Sequence, residues 1–153
     1  MNMIKLIVCI AICQFAGLVG SLFTFQSIPT WYASLAKPFF TPPNWLFGPV
    51  WITLYILMGI ALYLLWEKGL KKNNTATRLF ITQLVLNAAW SVIFFGMQLV
   101  FIAFIEIVIL WAFIALTIWK LRPVDTKAAW VMLPYIIWVT IAAALNMGVW
   151  LLN

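Results

Sequence analysis

Apolar residues run through this chain in long blocks, and five blocks are long enough to cross a bilayer. A hydrocarbon core takes about 20 residues of helix at 1.5 Å rise each. The blocks cover approximately residues 6–26, 45–66, 79–98, 100–119 and 128–152. They predict an all-α integral membrane protein, a five-transmembrane-helix bundle in one domain over residues 1–153. The uncharged first block is about twice the length of the apolar region of a signal peptide, and no persuasive small-x-small cleavage site follows it. It therefore reads as a retained helix.

The breaks between blocks differ in character. Residues 27–44 carry Pro29, Pro38, Pro42 and Pro43, a density that excludes regular helix, while Trp31, Tyr32, Phe39 and Phe40 argue for a packed cap over disorder. Residues 67–78 and 121–127 are polar turns. Only residues 96–98 separate the third and fourth blocks, which makes those helices antiparallel neighbours. Pro134, near the start of the fifth, should kink it and free a carbonyl.

Composition supports lipid as the solvent. The 153 residues are 67% hydrophobic and 8% charged, and a soluble globule of this size would leave much of that surface in water. The net charge of +6 does not imply nucleic acid, because the basic residues sit at the ends of apolar runs and form no single polar face. Lys5, Lys68, Lys71, Lys72, Arg78, Lys120, Arg122 and Lys127 share one side of a five-span topology, whereas the other side holds only Lys37. The positive-inside bias then places the N-terminus in the cytoplasm of, most simply, a bacterial cell. Cys9 and Cys13 lie one turn apart inside the first block and read as small apolar residues. Without histidine, and with no cysteine or carboxylate cluster, the chain is expected to hold no metal and no resident cofactor.

Polar residues inside spans are costly unless they face one another or a cavity. Their spacing draws three stripes. The second block has Phe47, Trp51, Tyr55 and Gly59; the third has Gln83, Asn87 and Ser91 bordered by Trp90 and Phe94; the fifth has Tyr135, Trp138, Ala142 and Asn146. Turned inward together, these faces would wall a cavity with indole and phenol rings and a few amides. The plainer alternative is that the amides only join helices and the rings only fill the core. Against it, tryptophan normally gathers at the headgroup belts, where Trp45, Trp66, Trp119, Trp130 and Trp150 fall, whereas Trp51, Trp90 and Trp138 lie within spans. Ala16 with Gly20, Gly17 with Ser21, and Thr140, Ala144 and Gly148 are small-residue pairs suited to helix seams or a dimer face. Glu106 is the one clearly intramembrane acid, about 9 Å along the fourth helix from its near end. It is a candidate functional group, free also to snorkel, stay neutral or meet a second subunit.

The ordered run Trp31-Tyr32, Lys37-Pro38, Pro42-Pro43, Trp45, Phe47, Pro49-Val50-Trp51 and Leu54-Tyr55 resembles the first-loop and second-helix signature of the TspO/MBR family. This family comprises the tryptophan-rich sensory and translocator proteins, or peripheral benzodiazepine receptors. Gln83-Leu84, Asn87, Trp90 and Phe94-Phe95-Gly96, and then Leu133-Pro134-Tyr135, Trp138, Ala142 and Leu145-Asn146, are similar to its later signatures. The resemblance covers most of the chain. It implies a five-helix, often dimeric bundle that binds porphyrins, sterols and benzodiazepine-type ligands in a pocket capped by the first loop. Tyr32, Pro42, Trp51, Asn87, Trp138, Ala142 and Asn146 match the family's pocket, to which the stripes add Trp90 and Tyr135. One departure concerns sterols: the tyrosine followed by a base in the C-terminal stretch of cholesterol-binding members is missing here.

Three functions follow as expectations. The first is binding or sensing of a tetrapyrrole such as protoporphyrin IX, or of another apolar ligand, the flat ring stacking on Trp51 and Trp138 while Asn87 and Asn146 orient its polar edges. The lack of histidine favours metal-free porphyrin over haem. The second is light-dependent porphyrin degradation, as the resemblance implies for some bacterial members, with Trp51 and Trp138 as the reacting residues because no acid, base or metal constellation is present. The third is transport, for which the sequence offers no inverted repeat and little ionisable lining.

Overall fold

In the computed structural model, which describes residues 2–153, the apolar blocks become helices whose ends follow local chemistry. Helix α1 covers Met3–Ser27, with the Asn2 side chain accepting from the Lys5 amide as its N-cap. Helix α2, a single turn at Trp31–Ser34, sits within the cap. This corrects the expectation that residues 27–44 hold no regular helix. The prolines flank the turn and leave its own amides intact.

Helix α3, Asn44–Glu67, begins just after Pro43 and carries Pro49 in its second turn. Helix α4, Asn74–Ser91, continues as a π-turn over Val92–Gly96, and the chain reverses at Gln98 with φ +59° before α5, Val100–Leu121. The expected short break between the third and fourth spans is therefore present. The fifth span is divided at Met132 into α6, Thr126–Val131, and α7, Leu133–Leu152. Pro134 is the second residue of α7, where a missing N–H costs nothing, so the expected bend is a break just before the proline. Five helical spans are long and apolar enough to cross a membrane, and among the described residues there is no strand.

The spans form a ring in which α1 lies between α3 and α4, α5 between α4 and α7, and α6 closes against α3. Small residues set the closest approaches. A Cβ at Gly59 would stand 2.5 Å from the Ile10 Cα, and one at Gly17 would meet the Tyr55 ring at 2.3 Å, so α1 lies directly on α3. Gly20 meets Ser91 of α4, Gly148 meets Pro38 of the cap, and Thr140 accepts from the Trp111 indole at 2.8 Å. These small-residue pairs are thus used within one chain. At one end of the ring, Lys5 pairs with Glu67 at 3.0 Å and Lys68 lies 3.8 Å from Asp125, which puts the N-terminus and the second and fourth loops on one side. At that end α6 fills the space between α3 and α5; at the other end α3 and α7 stand apart, and the cap spans them.

Candidate functional site

That separation leaves a cavity of about 770 Å³ bounded by α1, α3, the end of α4, α7 and the cap. Helix α3 supplies Phe47, Trp51 and Tyr55, α4 and its π-turn supply Trp90, Ser91, Phe94 and Phe95, and α7 supplies Trp138, Ala142 and Asn146. A regular α-helix would turn successive residues about 100° apart. The wider π-turn keeps both Phe94 and Phe95 on the cavity side, where Trp90 stacks on Phe94 with centroids 5.1 Å apart.

Among the residues expected at the site, Tyr32, Trp51, Trp90, Trp138, Ala142 and Asn146 line the void. Three do not. Asn87 and Tyr135 lie one layer behind the wall: the Tyr55 hydroxyl donates to Asn87 Oδ1, and Asn87 Nδ2 donates to the Tyr135 oxygen at 2.9 Å. Both are spent holding α3, α4 and α7 together. Pro42 is half-buried in the cap and away from the void. Gly59 also leaves its stripe, since it packs on Ile10 at the far end of α3. Asn146 lines the void but is engaged too, accepting from the Trp90 indole at 3.0 Å and donating to the Val100 carbonyl at 2.9 Å. Asn87, expected to orient a ligand's polar edge, is therefore set back from the void, whereas Asn146 borders it with one N–H and one oxygen lone pair still open. The indole N–H of Trp138 is buried without a protein partner, although other atoms of that side chain line the void.

Sequence reasoning missed the contribution of α1. Gln14, Gly17, Ser21 and Thr24 line the cavity along one helical face, and Gln14 Nε2 donates to the Ile52 carbonyl at 3.0 Å. The signal was the same i, i+3, i+7 spacing as in the other stripes, without the aromatic rings that drew attention to them. Phe15, Leu18 and Phe25 of α1 and Trp45 and Ile52 of α3 border the void and are also exposed on the lipid-facing surface. Trp45 thus does more than anchor a belt, and the cavity reaches the bilayer between α1 and α3.

The cap is held from two directions. Tyr32 packs on Phe94 and Phe95 with centroids at 6.2 and 5.7 Å, and Lys37 Nζ stands 4.7 Å over its ring. Burial pushes the Tyr32 phenol above its ordinary pKa, so it remains a protonated group. From α7, the Asn153 side chain accepts from the Ala36 N–H and donates to the Ala36 carbonyl, each at 3.0 Å. Replacing Asn153 with alanine removes both bonds, a loss of about 1 kcal/mol. Amide exchange at Ala36, followed by mass spectrometry, should quicken roughly fivefold while exchange in α3 stays unchanged.

The TspO/MBR family matches this chain over residues 9–151. The chain belongs to that family. It is 46% identical over 153 residues to the tryptophan-rich protein TspO of Archaeoglobus fulgidus, covering 100% of this chain and 99% of that one. Identity to the TspO of Chlorobaculum tepidum is 42% over 154 residues, covering 99% and 98% of the two chains. The human translocator protein is 37% identical over 135 residues, 86% of this chain and 80% of its own length. The matched stretch, residues 9–151, includes every residue that lines the cavity.

Proposed function

We propose that the chain binds a flat, largely apolar ligand of the tetrapyrrole class, protoporphyrin IX above all, and that other apolar or benzodiazepine-type molecules share the cavity. The observation that carries this reading is a void of about 770 Å³ walled by Trp51, Trp90 and Trp138, with Tyr32 and Ser91 among its polar lining residues. Its size falls in the range of small-molecule sites, about 300–1,000 Å³. Planar rings are held by stacking and edge contacts with indole, and a carboxylate or carbonyl on the ligand rim accepts from a hydroxyl on the lining. Entry from the lipid phase, through the side opening between α1 and α3, suits a solute that partitions into membranes. In this reading the protein sits in a cell membrane with its N-terminus in the cytoplasm, as the basic side of the bundle favours, and works as a homodimer without metal or resident cofactor.

Titration of the purified protein with protoporphyrin IX, read as the shift of the porphyrin absorption band, tests the assignment. Trp51→Phe and Trp138→Phe should each weaken binding about fivefold, as expected for loss of one aromatic contact worth about 1 kcal/mol. Unchanged affinity in both variants would remove the pocket from consideration.

The stacking of Trp51 on Tyr55, with centroids 5.7 Å apart and planes at 29°, favours a second reading. An indole beside a photo-excited porphyrin can lend it an electron and take it back, while dissolved oxygen is the oxidant and adds to the macrocycle, both its atoms ending in the ring-opened product. Illumination of the complex in air should then yield a new absorbing product. Bleaching equal to that of a Trp51→Phe/Trp138→Phe control leaves binding as the sole function.

A further inference from the structure

At the end of the bundle that carries the second and fourth loops, every basic residue of the chain except Lys37 is gathered with only two acids, and both acids are engaged. Glu67 pairs with Lys5 at 3.0 Å. Asp125 accepts from the Lys127 and Ala128 amides at 2.9 and 3.2 Å, lies 3.8 Å from Lys68 and keeps only 13% of its side chain exposed. The third acid of the chain, Glu106, is buried within a span. No carboxylate is therefore left for Lys71, Lys72, Arg78, Lys120, Arg122 or Lys127.

Three of these bases share one corner. Arg122 is the C-cap of α5, and α6 begins at Thr126. The Leu121 carbonyl accepts from both the Val124 and the Asp125 amides, at 2.9 and 2.8 Å, and the Thr126 hydroxyl donates to the Arg122 carbonyl at 3.3 Å, so the chain turns tightly between the two helices. Arg122 and Lys127 are exposed on this corner, whereas Asp125 is turned in. Indoles bracket the bases: Trp119 and Trp130 are 63% and 66% exposed, and Lys120 Nζ stands 4.4 Å over the Trp119 ring. Exposed tryptophan settles at the boundary between hydrocarbon and headgroups, which sets the three bases at the depth of lipid phosphates.

We propose that the α5–α6 corner binds an anionic phospholipid, its phosphate held by Lys120, Arg122 and Lys127 and its acyl chains lying along Trp119 and Trp130. Charge complementarity and the pairing of bases with indoles select this occupant. A guanidinium and two ammonium groups without an acid of their own match a phosphate, and the planar fork of Arg122 can hold two of its oxygens at once. A soluble anion would use the charges and leave the indoles idle; a zwitterionic lipid would bring its own cation to the bases. The corner lies at the opposite end of the bundle from the cap, so the proposal does not depend on what the cavity binds.

The test uses the full-length protein extracted from bilayers of mixed phosphatidylcholine and phosphatidylglycerol, with the retained lipids counted by native mass spectrometry. Wild type should hold the anionic lipid at least about tenfold over its share in the bilayer, since each base near an anionic headgroup contributes severalfold. Lys120→Gln/Arg122→Gln/Lys127→Gln should lose most of that preference, whereas Lys71→Gln/Lys72→Gln/Arg78→Gln, which removes the same charge from the same end, should keep it. Equal loss in the two variants, or none in the first, overturns the site, because a diffuse basic field responds to total charge alone. Glycerol 3-phosphate carries the charge without acyl chains; at matched ionic strength it should leave the bound lipid in place, and displacement would give the corner to a soluble anion and overturn the lipid assignment. If the triple corner variant does not fold, Arg122→Gln alone should lower the preference severalfold, and an unchanged preference overturns the site in the same way.

Discussion

Replacing Gly59 with valine should separate α1 from α3 and cost at least about 2 kcal/mol of stability. The physical reason is the neighbour it meets. A Cβ at this position falls 2.5 Å from Ile10 Cα and 2.9 Å from Ile10 N, and backbone atoms of a packed helix cannot rotate aside as a side-chain tip can. Cys9 and Cys13, completely buried on α1 beside this contact, would lose their packing at the same time. Equilibrium unfolding in mixed micelles, followed by circular dichroism, measures the loss. Gly48 supplies the control: a Cβ there meets nothing within 4 Å, so Gly48→Ala should be neutral or stabilising by up to about 1 kcal/mol through helix propensity. Equal destabilisation by both changes would mean that the α1–α3 seam is not what holds these helices.

The second large effect is expected at Asn87. Leucine at this position leaves the Tyr55 hydroxyl without an acceptor and takes the Asn87 donor from Tyr135. Hydrogen bonds between membrane helices are individually modest, about 0.6 kcal/mol on average, but stranded buried polar groups cost about 1–3 kcal/mol each. Asn87→Leu should therefore destabilise the protein by about 2 kcal/mol or more. Removing the stranded groups as well, in Tyr55→Phe/Asn87→Leu/Tyr135→Phe, should recover at least half of that loss, since an apolar core of the same shape has nothing left to satisfy. The variant should also weaken ligand binding severalfold, because Trp51 stacks on Tyr55 and loses its backing. A triple variant no more stable than Asn87→Leu would show that the network acts by some other route.

These predictions mark how far the residues could be read without coordinates. The stripes on α3, α4 and α7 located Trp51, Trp90, Trp138, Ala142 and Asn146 on the void, because side-chain direction on a helix follows from spacing alone. The same stripes also took in Asn87 and Tyr135, which the structure puts a layer deeper. Position on a helical face tells which way a residue points, and not how far the neighbouring helix stands from it. The π-turn at Val92–Gly96 was out of reach for a related reason: a local widening of a helix leaves no periodic trace of its own.

Composition and spacing by themselves determined the solvent, the number of spans, the sides that the loops share and the aromatic character of the interior, since each depends on chain-local quantities such as run length, charge and period. Only the tertiary structure decided which helices abut and which stand apart. It brought α1 into the site and tied Asn87 and Asn146 into the frame. A hydrogen bond needs its two partners within about 3 Å, and no pattern along one helix can state where another helix will put the second.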